Sequence, residues 1–209
     1  MIYWIITTSL IQEKSEERER QYTHAISDVI RRCNGTSIKI IILENTSRTE
    51  SFLDGLGADV LYTTNNSLQT TNYGIKELYD VLACIEKYGI AEEDYIVKMT
   101  GRYFLSEVCP FLDEILQLEE TKYEALLKYG WWEPSPRTKH ANCITGLLCM
   151  KCKYVKKIRV PALSEIGTFL EYLWAEATVD IPDEQIKTFD SLGLHINPKC
   201  NDNNIFFEV

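Results

Sequence analysis

The sequence is short of several things that would each direct it to a common class of protein. Cations are outnumbered: 22 Lys and Arg stand against 31 Asp and Glu in 209 residues, a formal charge of −9. That balance argues against general binding to nucleic-acid phosphates or anionic membrane surfaces, so any nucleotide held here sits in a local basic pocket. Long apolar runs are missing too: no stretch reaches the roughly 18 uncharged apolar residues of a membrane span. The apolar start Met1 to Ile6 lacks the basic region and small-residue cleavage site of a leader. We therefore expect a cytoplasmic protein with no integral membrane segment and no nucleic-acid partner. Glycine-rich phosphate loops are also lacking. The first apolar run is followed by Thr7 to Gln12 without a glycine, and neither G-x-G-x-x-G nor G-x-x-x-x-G-K-[ST] is present, which leaves NAD, FAD and P-loop ATP chemistry unsupported.

What is there describes a folded chain. Apolar residues make up 45% of it, enough for a core without staples, and disorder and collagen-like structure are excluded. The seven cysteines, Cys33, Cys84, Cys109, Cys143, Cys149, Cys152 and Cys200, are odd in number and irregularly spaced, so they read as reduced thiols. Three Asn-x-Ser/Thr triplets at Asn34, Asn45 and Asn65 read as chance matches in a chain that is not exported.

Hydrophobic periodicity sets out an alternating first half. Ile2 to Ser9 is a buried strand ending in hydroxyls, and apolar residues from Tyr22 to Cys33 then recur at helical spacing until Asn34-Gly35. Ile38 to Leu43 and Asp59 to Thr63 are further strands, with a short helix over Ser51 to Leu56 between them. Asn72 caps a helix that ends at Gly89 and whose polar face carries Lys76, Glu77 and Asp80. Tyr95 to Thr100 is a fourth strand that turns at Gly101-Arg102, with a helix through Phe111, Ile115 and Leu116 behind it. Such alternation predicts an α/β fold with a mostly parallel sheet covered on both faces, and ligands at the carboxyl ends of its strands. The second half is mixed: strands near Tyr123 to Lys128 and Cys143 to Met150, then helices over about Ser164 to Ala177 and Pro182 to Leu192. No repeat or linker interrupts the chain, so one domain is expected, with an alternating half over about 1–106 and a mixed half over about 107–209.

The strand ends are unusually polar: Thr7-Thr8-Ser9, Glu44-Asn45, Thr63-Thr64-Asn65 and Thr100-Gly101-Arg102. Hydroxyls, amides and a carboxylate placed around one cleft suit a base edge and ribose hydroxyls, which need hydrogen bonds in fixed directions.

The combination of Ile5-Ile-Thr-Thr-Ser9, Glu44-Asn45, Asn72-Tyr-Gly74-Ile-Lys-Glu77 and Tyr95-Ile-Val-Lys-Met-Thr-Gly-Arg-Tyr-Phe-Leu105 resembles small glycosyltransferases of the GT-A-like nucleotide-diphospho-sugar superfamily. It is most similar to domains from surface-polysaccharide clusters and from large DNA viruses that glycosylate their own capsids. The resemblance implies a GT-A-like fold and transfer of a sugar from a UDP-, GDP- or dTDP-sugar donor to a glycan or glycoprotein acceptor, with the alternating half as the donor half and the mixed half as the acceptor half. Carried onto this sequence, Thr7, Thr8, Ser9, Glu44 and Asn45 read the nucleoside, Asn65 and Asn72 touch ribose or donor sugar, and Lys76, Lys98, Thr100 and Arg102 hold the diphosphate. The superfamily's Asp-x-Asp motif, which carries a divalent ion after the fourth strand, is absent here, and Thr100-Gly101-Arg102 stands in its place. Mn2+ or Mg2+ dependence is thereby in doubt, and Arg102 is expected to stabilise the leaving diphosphate as a metal would.

An inverting transfer needs a general base, and Glu133, Glu165, Glu171 and His140 are the candidates, with Glu165 favoured because it opens a helix. His140, Cys143, Cys149 and Cys152 lack the spacing of a closed zinc site. Trp131, Trp132 and Tyr129 are candidates for stacking on an acceptor sugar. Two other functions are open: a sugar-phosphate nucleotidyltransferase, which should carry a glycine-rich basic loop after the first strand, and a non-catalytic nucleotide- or glycan-binding module.

Overall fold

Strand β1 (Ile2–Thr8) is the hub of the molecule because its side chains are apolar on both faces. Trp4 and Ile6 face one way into a core with α1 (Ser15–Arg32), while Ile5 faces the other way toward α2 (Tyr73–Tyr88). Both its edges are paired in parallel, with β2 (Lys39–Glu44) from Tyr3↔Lys39 to Thr8↔Glu44 and with β4 (Tyr95–Thr100) from Ile2↔Tyr95 to Thr7↔Thr100. A strand buried on two faces and two edges reads as a continuous hydrophobic run, and this one does.

The computed structural model describes residues 1–11, 15–130, 141–163, 169–196 and 207–209. Beyond β2 lies β3 (Asp59–Tyr62), also parallel. On the other side β4 is followed by β7 (Leu147–Lys151), antiparallel to it, then β6 (Ala125–Leu127) and β8 (Ile186–Thr188). The seven-stranded order is β3-β2-β1-β4-β7-β6-β8. Because only β7 is reversed, the carboxyl ends of the other six lie along one edge. Three short strands, β5 (Phe104–Leu105), β9 (Leu194–Ile196) and β10 (Phe207–Glu208), form a separate small sheet. The remaining helices are α3 (Pro110–Leu116), α4 (Cys152–Val155) and α5 (Leu170–Glu176).

The expected helix over Pro182 to Leu192 is not formed. Asp183–Gln185 makes one 3-10 turn and Ile186–Thr188 then joins the sheet as β8. The apolar spacing Ile186, Phe189, Leu192 imitates a helix, but the fully buried strand β6 needs a hydrogen-bonding partner on the side away from β7, and β8 supplies it as the edge strand. Likewise β7 starts only at Leu147, because Gly146 before it is pressed against Tyr103 and Leu194. Residues 164–168 of the expected helix from Ser164 lie outside the described residues.

Candidate functional site

Asn72 begins the construction of the site. Its Oδ1 accepts from the backbone N–H of Gly74 at 3.0 Å and of Ile75 at 3.3 Å, which fixes the start of α2 over the carboxyl edge. The first turns of α2 then reach back over the ends of β1 to β4. Glu77 Oε1 accepts from Lys98 Nζ at 2.8 Å and from Thr7 Oγ1 at 2.5 Å. The Lys98 ammonium also donates to Thr100 Oγ1 at 3.1 Å and to the Thr145 carbonyl at 2.5 Å. Lys98 is 0% exposed, so all of its donors are committed inside the protein. It organises Thr100 and Glu77 and does not itself reach a ligand.

A second cluster lies one helical turn on. Asp80, 1% exposed, accepts from Asn45 Nδ2 at 2.9 Å, Asn65 Nδ2 at 2.7 Å and Thr63 Oγ1 at 2.5 Å. Burial raises its pKa, against the lowering effect of these three donors. The carboxylate thus draws the ends of β2 and β3 and the following loop to α2. Glu44 does the same for the end of β1: it accepts from Thr8 Oγ1 at 2.7 Å, from the N–H of Leu10 at 3.1 Å and from the N–H of Thr46 at 3.0 Å. The chain leaves β2 through Ser47, whose φ of 62° is the one positive value at a non-glycine among the described residues.

Lys76 is buried with its ammonium 2.6 Å from the Asn66 carbonyl. The N–H of Ser9 donates to Tyr22 Oη at 3.0 Å, which ties that turn to α1. After β4 the backbone turns at Gly101, where a Cβ would lie 3.0 Å from the Thr7 carbonyl and from the Ile6 and Thr8 side chains. Only glycine lets the turn press this closely on β1. Arg102, half-buried, comes out of that turn with Nη2 3.2 Å from Tyr103 Oη.

The structure therefore brings Thr7, Thr8, Ser9, Glu44, Asn45, Asn65, Asn72, Lys76, Lys98, Thr100 and Arg102 to one edge. Glu165, Glu133, His140, Trp131 and Trp132 lie outside the described residues. Tyr129 is no platform: it is buried and bonded to Thr178 Oγ1 at 2.7 Å. Cys149 and Cys143 are packed in opposite cores, on the two sides of the sheet. Sequence reasoning missed Glu77, Asp80 and Thr145. The first two stood on what read as a solvent face of α2, and the available signal was the nearness of that face to a strong N-cap after a parallel strand.

No family model matches the chain, and no curated protein does. Solved structures do match. A protein of Bacillus anthracis described as a glucose-1-phosphate thymidylyltransferase superposes with a TM-score of 0.57 at 11% identity, over 90% of this chain and 86% of that one. The galactosyltransferase LgtC, solved with donor and acceptor sugar analogs, gives 0.52 at 9% identity, over 89% and 72%. A 4-diphosphocytidyl-2C-methyl-D-erythritol synthase gives 0.50 at 10% identity, over 92% and 90%. The fold is GT-A-like.

In this GT-A-like sheet the turn after β4 carries a hydroxyl, a glycine and a guanidinium but no carboxylate, the oxygen ligand on which Mn2+ and Mg2+ sites are chiefly built. The neighbouring carboxylates are already engaged, Glu77 by Lys98, Glu44 by four donors and Asp80 by three more. Among the described residues no group of three or more His, Cys, Asp and Glu is placed to hold a metal. No helix among them is long and apolar enough to cross a membrane.

Proposed function

We propose that this chain transfers a sugar from a nucleotide-diphosphate donor to a glycan or glycoprotein hydroxyl. The observation that carries the proposal is the turn Thr100-Gly101-Arg102, closed against the end of β1 in a GT-A-like fold, which holds the Arg102 guanidinium beside Tyr103 at the carboxyl edge. A diphosphate gains charge as the glycosidic bond breaks, and a fixed guanidinium beside it lowers the barrier with no reorganisation of solvent. Thr7, Thr8, Ser9, Glu44 and Asn45 would frame the nucleoside, Asn65 and Asn72 the ribose or donor sugar, and Lys76 would support the anion. Lys98 and Thr100 would act by shaping that floor. Glu165 remains the proposed general base, and Glu165→Gln should lower transfer more than donor binding.

The experiment is release of nucleoside diphosphate from UDP-, GDP- and dTDP-sugars, with and without chelator. Arg102→Ala is expected to lower turnover by about 10²–10³-fold, as removal of one charge-stabilising donor does elsewhere. Intact turnover in Arg102→Ala together with loss on chelation would overturn the role given to Arg102. One of the similar structures is described as a glucose-1-phosphate thymidylyltransferase, and this supports a second reading, activation of a sugar phosphate. Thermal stabilisation by triphosphates over diphosphates would favour it, and no response to any nucleotide would favour a non-catalytic module.

A further inference from the structure

Four Phe, Tyr or Trp side chains among the described residues are exposed: Tyr73, Phe169, Tyr172 and Phe207. Three of them gather at one place. Gly74 and Leu170 bring α2 and α5 together, since a Cβ on Gly74 would lie only 2.9 Å from Leu170 Cβ. A larger residue at 74 would push the helices apart. The chain neighbours of this touching pair are Tyr73 and Phe169, 71% and 62% exposed, and one turn along α5 the Phe169 and Tyr172 rings meet with centroids 6.2 Å apart at 60°. The first turn of α5 is tied to the carboxyl edge, where the Glu171 carbonyl accepts from the N–H of Cys143 at 3.3 Å. The start of α2 is fixed there by Asn72. The cluster therefore lies beside the polar carboxyl edge of the sheet.

We propose that Tyr73, Phe169 and Tyr172 form a ledge that binds a pyranose ring of the acceptor glycan, a proposal that rests on the transferase function given above. The occupant is chosen by chemistry. A pyranose has an apolar C–H face that lies on an aromatic ring and a rim of hydroxyls that needs polar neighbours. The ledge has both: beside its exposed rings, Lys76 Nζ lies 5.6 Å from the Tyr73 ring centroid. A dry protein interface is depleted of such charges at its centre, and an anionic membrane would be repelled by a chain of net charge −9. Continuity with the cleft puts a ring stacked here beside the bound donor.

The test is saturation-transfer NMR with methyl β-glucopyranoside, methyl β-galactopyranoside, lactose and cellobiose as probes, on wild type and on Tyr73→Ala, Phe169→Ala and Tyr172→Ala. All three sites are solvent-exposed, and a thermal melt confirms that each variant is folded. Transfer to the C–H protons of at least one probe is expected in wild type, with affinity about 5-fold weaker for each ring removed, the size of one aromatic contact. Phe169→Tyr should retain it. Absence of transfer to every probe in wild type, or transfer unchanged in all three variants, overturns the ledge. Release of nucleoside diphosphate by the wild type is measured beside it: hydrolysis without pyranoside binding defeats the ledge alone, and ring-dependent pyranoside binding without hydrolysis of any donor defeats the transferase alone.

Discussion

The two edges of the central sheet carry the same kinds of charged group in opposite settings. At the amino edge the Met1 amine meets Asp94 at 3.0 Å, and Lys151 bridges Glu93 at 2.7 Å and Glu124 at 3.0 Å, with Lys153 also 3.0 Å from Glu124. Water reaches the Met1 amine and Glu93 freely, and Lys151, Lys153 and Glu124 are half-buried, none of them sealed off as Lys98 is. Such pairs are inexpensive to form and each contributes at most about 1 kcal/mol. At the carboxyl edge Lys98 and Glu77 make a pair whose ammonium is fully buried, and Asp80 and Glu44 are buried carboxylates that hold loops in place. Burying a charge costs several kcal/mol before its partners offset it. A sheet end that needed only to be stable would fill those positions with apolar residues. Charges kept at such a cost serve arrangement: they fix hydroxyls, amides and the Gly101 turn before any ligand arrives.

The largest effect that separates the edges is expected at Lys98. Lys98→Met leaves Glu77 without its counter-charge and the Thr145 carbonyl without its donor, and should cost about 3–5 kcal/mol in urea unfolding. Lys153→Met at the other edge should cost less than about 1 kcal/mol. Equal losses would erase the distinction. Glu77→Gln combined with Lys98→Met should recover part of the loss, because no unpaired charge then remains.

Asp80 sharpens the contrast by chemistry and pH. Asp80→Asn replaces one acceptor oxygen by an NH2 that must face the amide or hydroxyl donors of Asn45, Asn65 and Thr63, at a cost of about 1–3 kcal/mol. Burial raises the Asp80 pKa above its ordinary 3.8, so the stability it lends is full below that value and declines as pH rises through the folded value. The gap between wild type and Asp80→Asn should accordingly be widest in acid and shrink toward neutrality. A gap that widens instead would show Asp80 to be held as a well-paired anion.

How far this edge was legible in the sequence follows from the same contrast. Strands β1, β2 and β4 were readable because both faces are covered: Ile5, Ile41 and Ile96 fill one core and Trp4, Ile42 and Val97 the other. Their hydroxyl- and amide-bearing ends were readable as one cleft because parallel strands end together. The strand expected near Tyr123 to Lys128 is present as β6, but the three-residue β8 is too short for any period, and Ile186 to Leu192 took on a helical spacing by coincidence. Lys98 stood out inside an apolar run, but its partner did not. A polar helix face is solvated by default, and only the docking of α2 over the strand ends turns Glu77 and Asp80 inward.

The smallest effect lies at the amino edge and concerns acid. Burial alone would raise the Glu124 pKa, yet hydrogen bonds from Tyr154, Lys151 and Lys153 outweigh it and bring the group from 4.5 to about 2. A carboxylate depressed on folding lends stability that is present above its unfolded value and is lost as pH falls toward the folded one. Glu124→Gln should therefore flatten the stability profile between pH 4.5 and about 2. Exposure of the Glu93 side of this half-buried cluster limits the change to about 1 kcal/mol, read from urea midpoints across that range. The same variant should leave nucleotide-dependent thermal shifts untouched, since Glu124 lies at the start of β6 and the proposed cleft at the far end of the sheet. A nucleotide shift altered by Glu124→Gln would mean that the two edges are coupled through β6 and β7, and that the division between a stabilising edge and a binding edge does not hold.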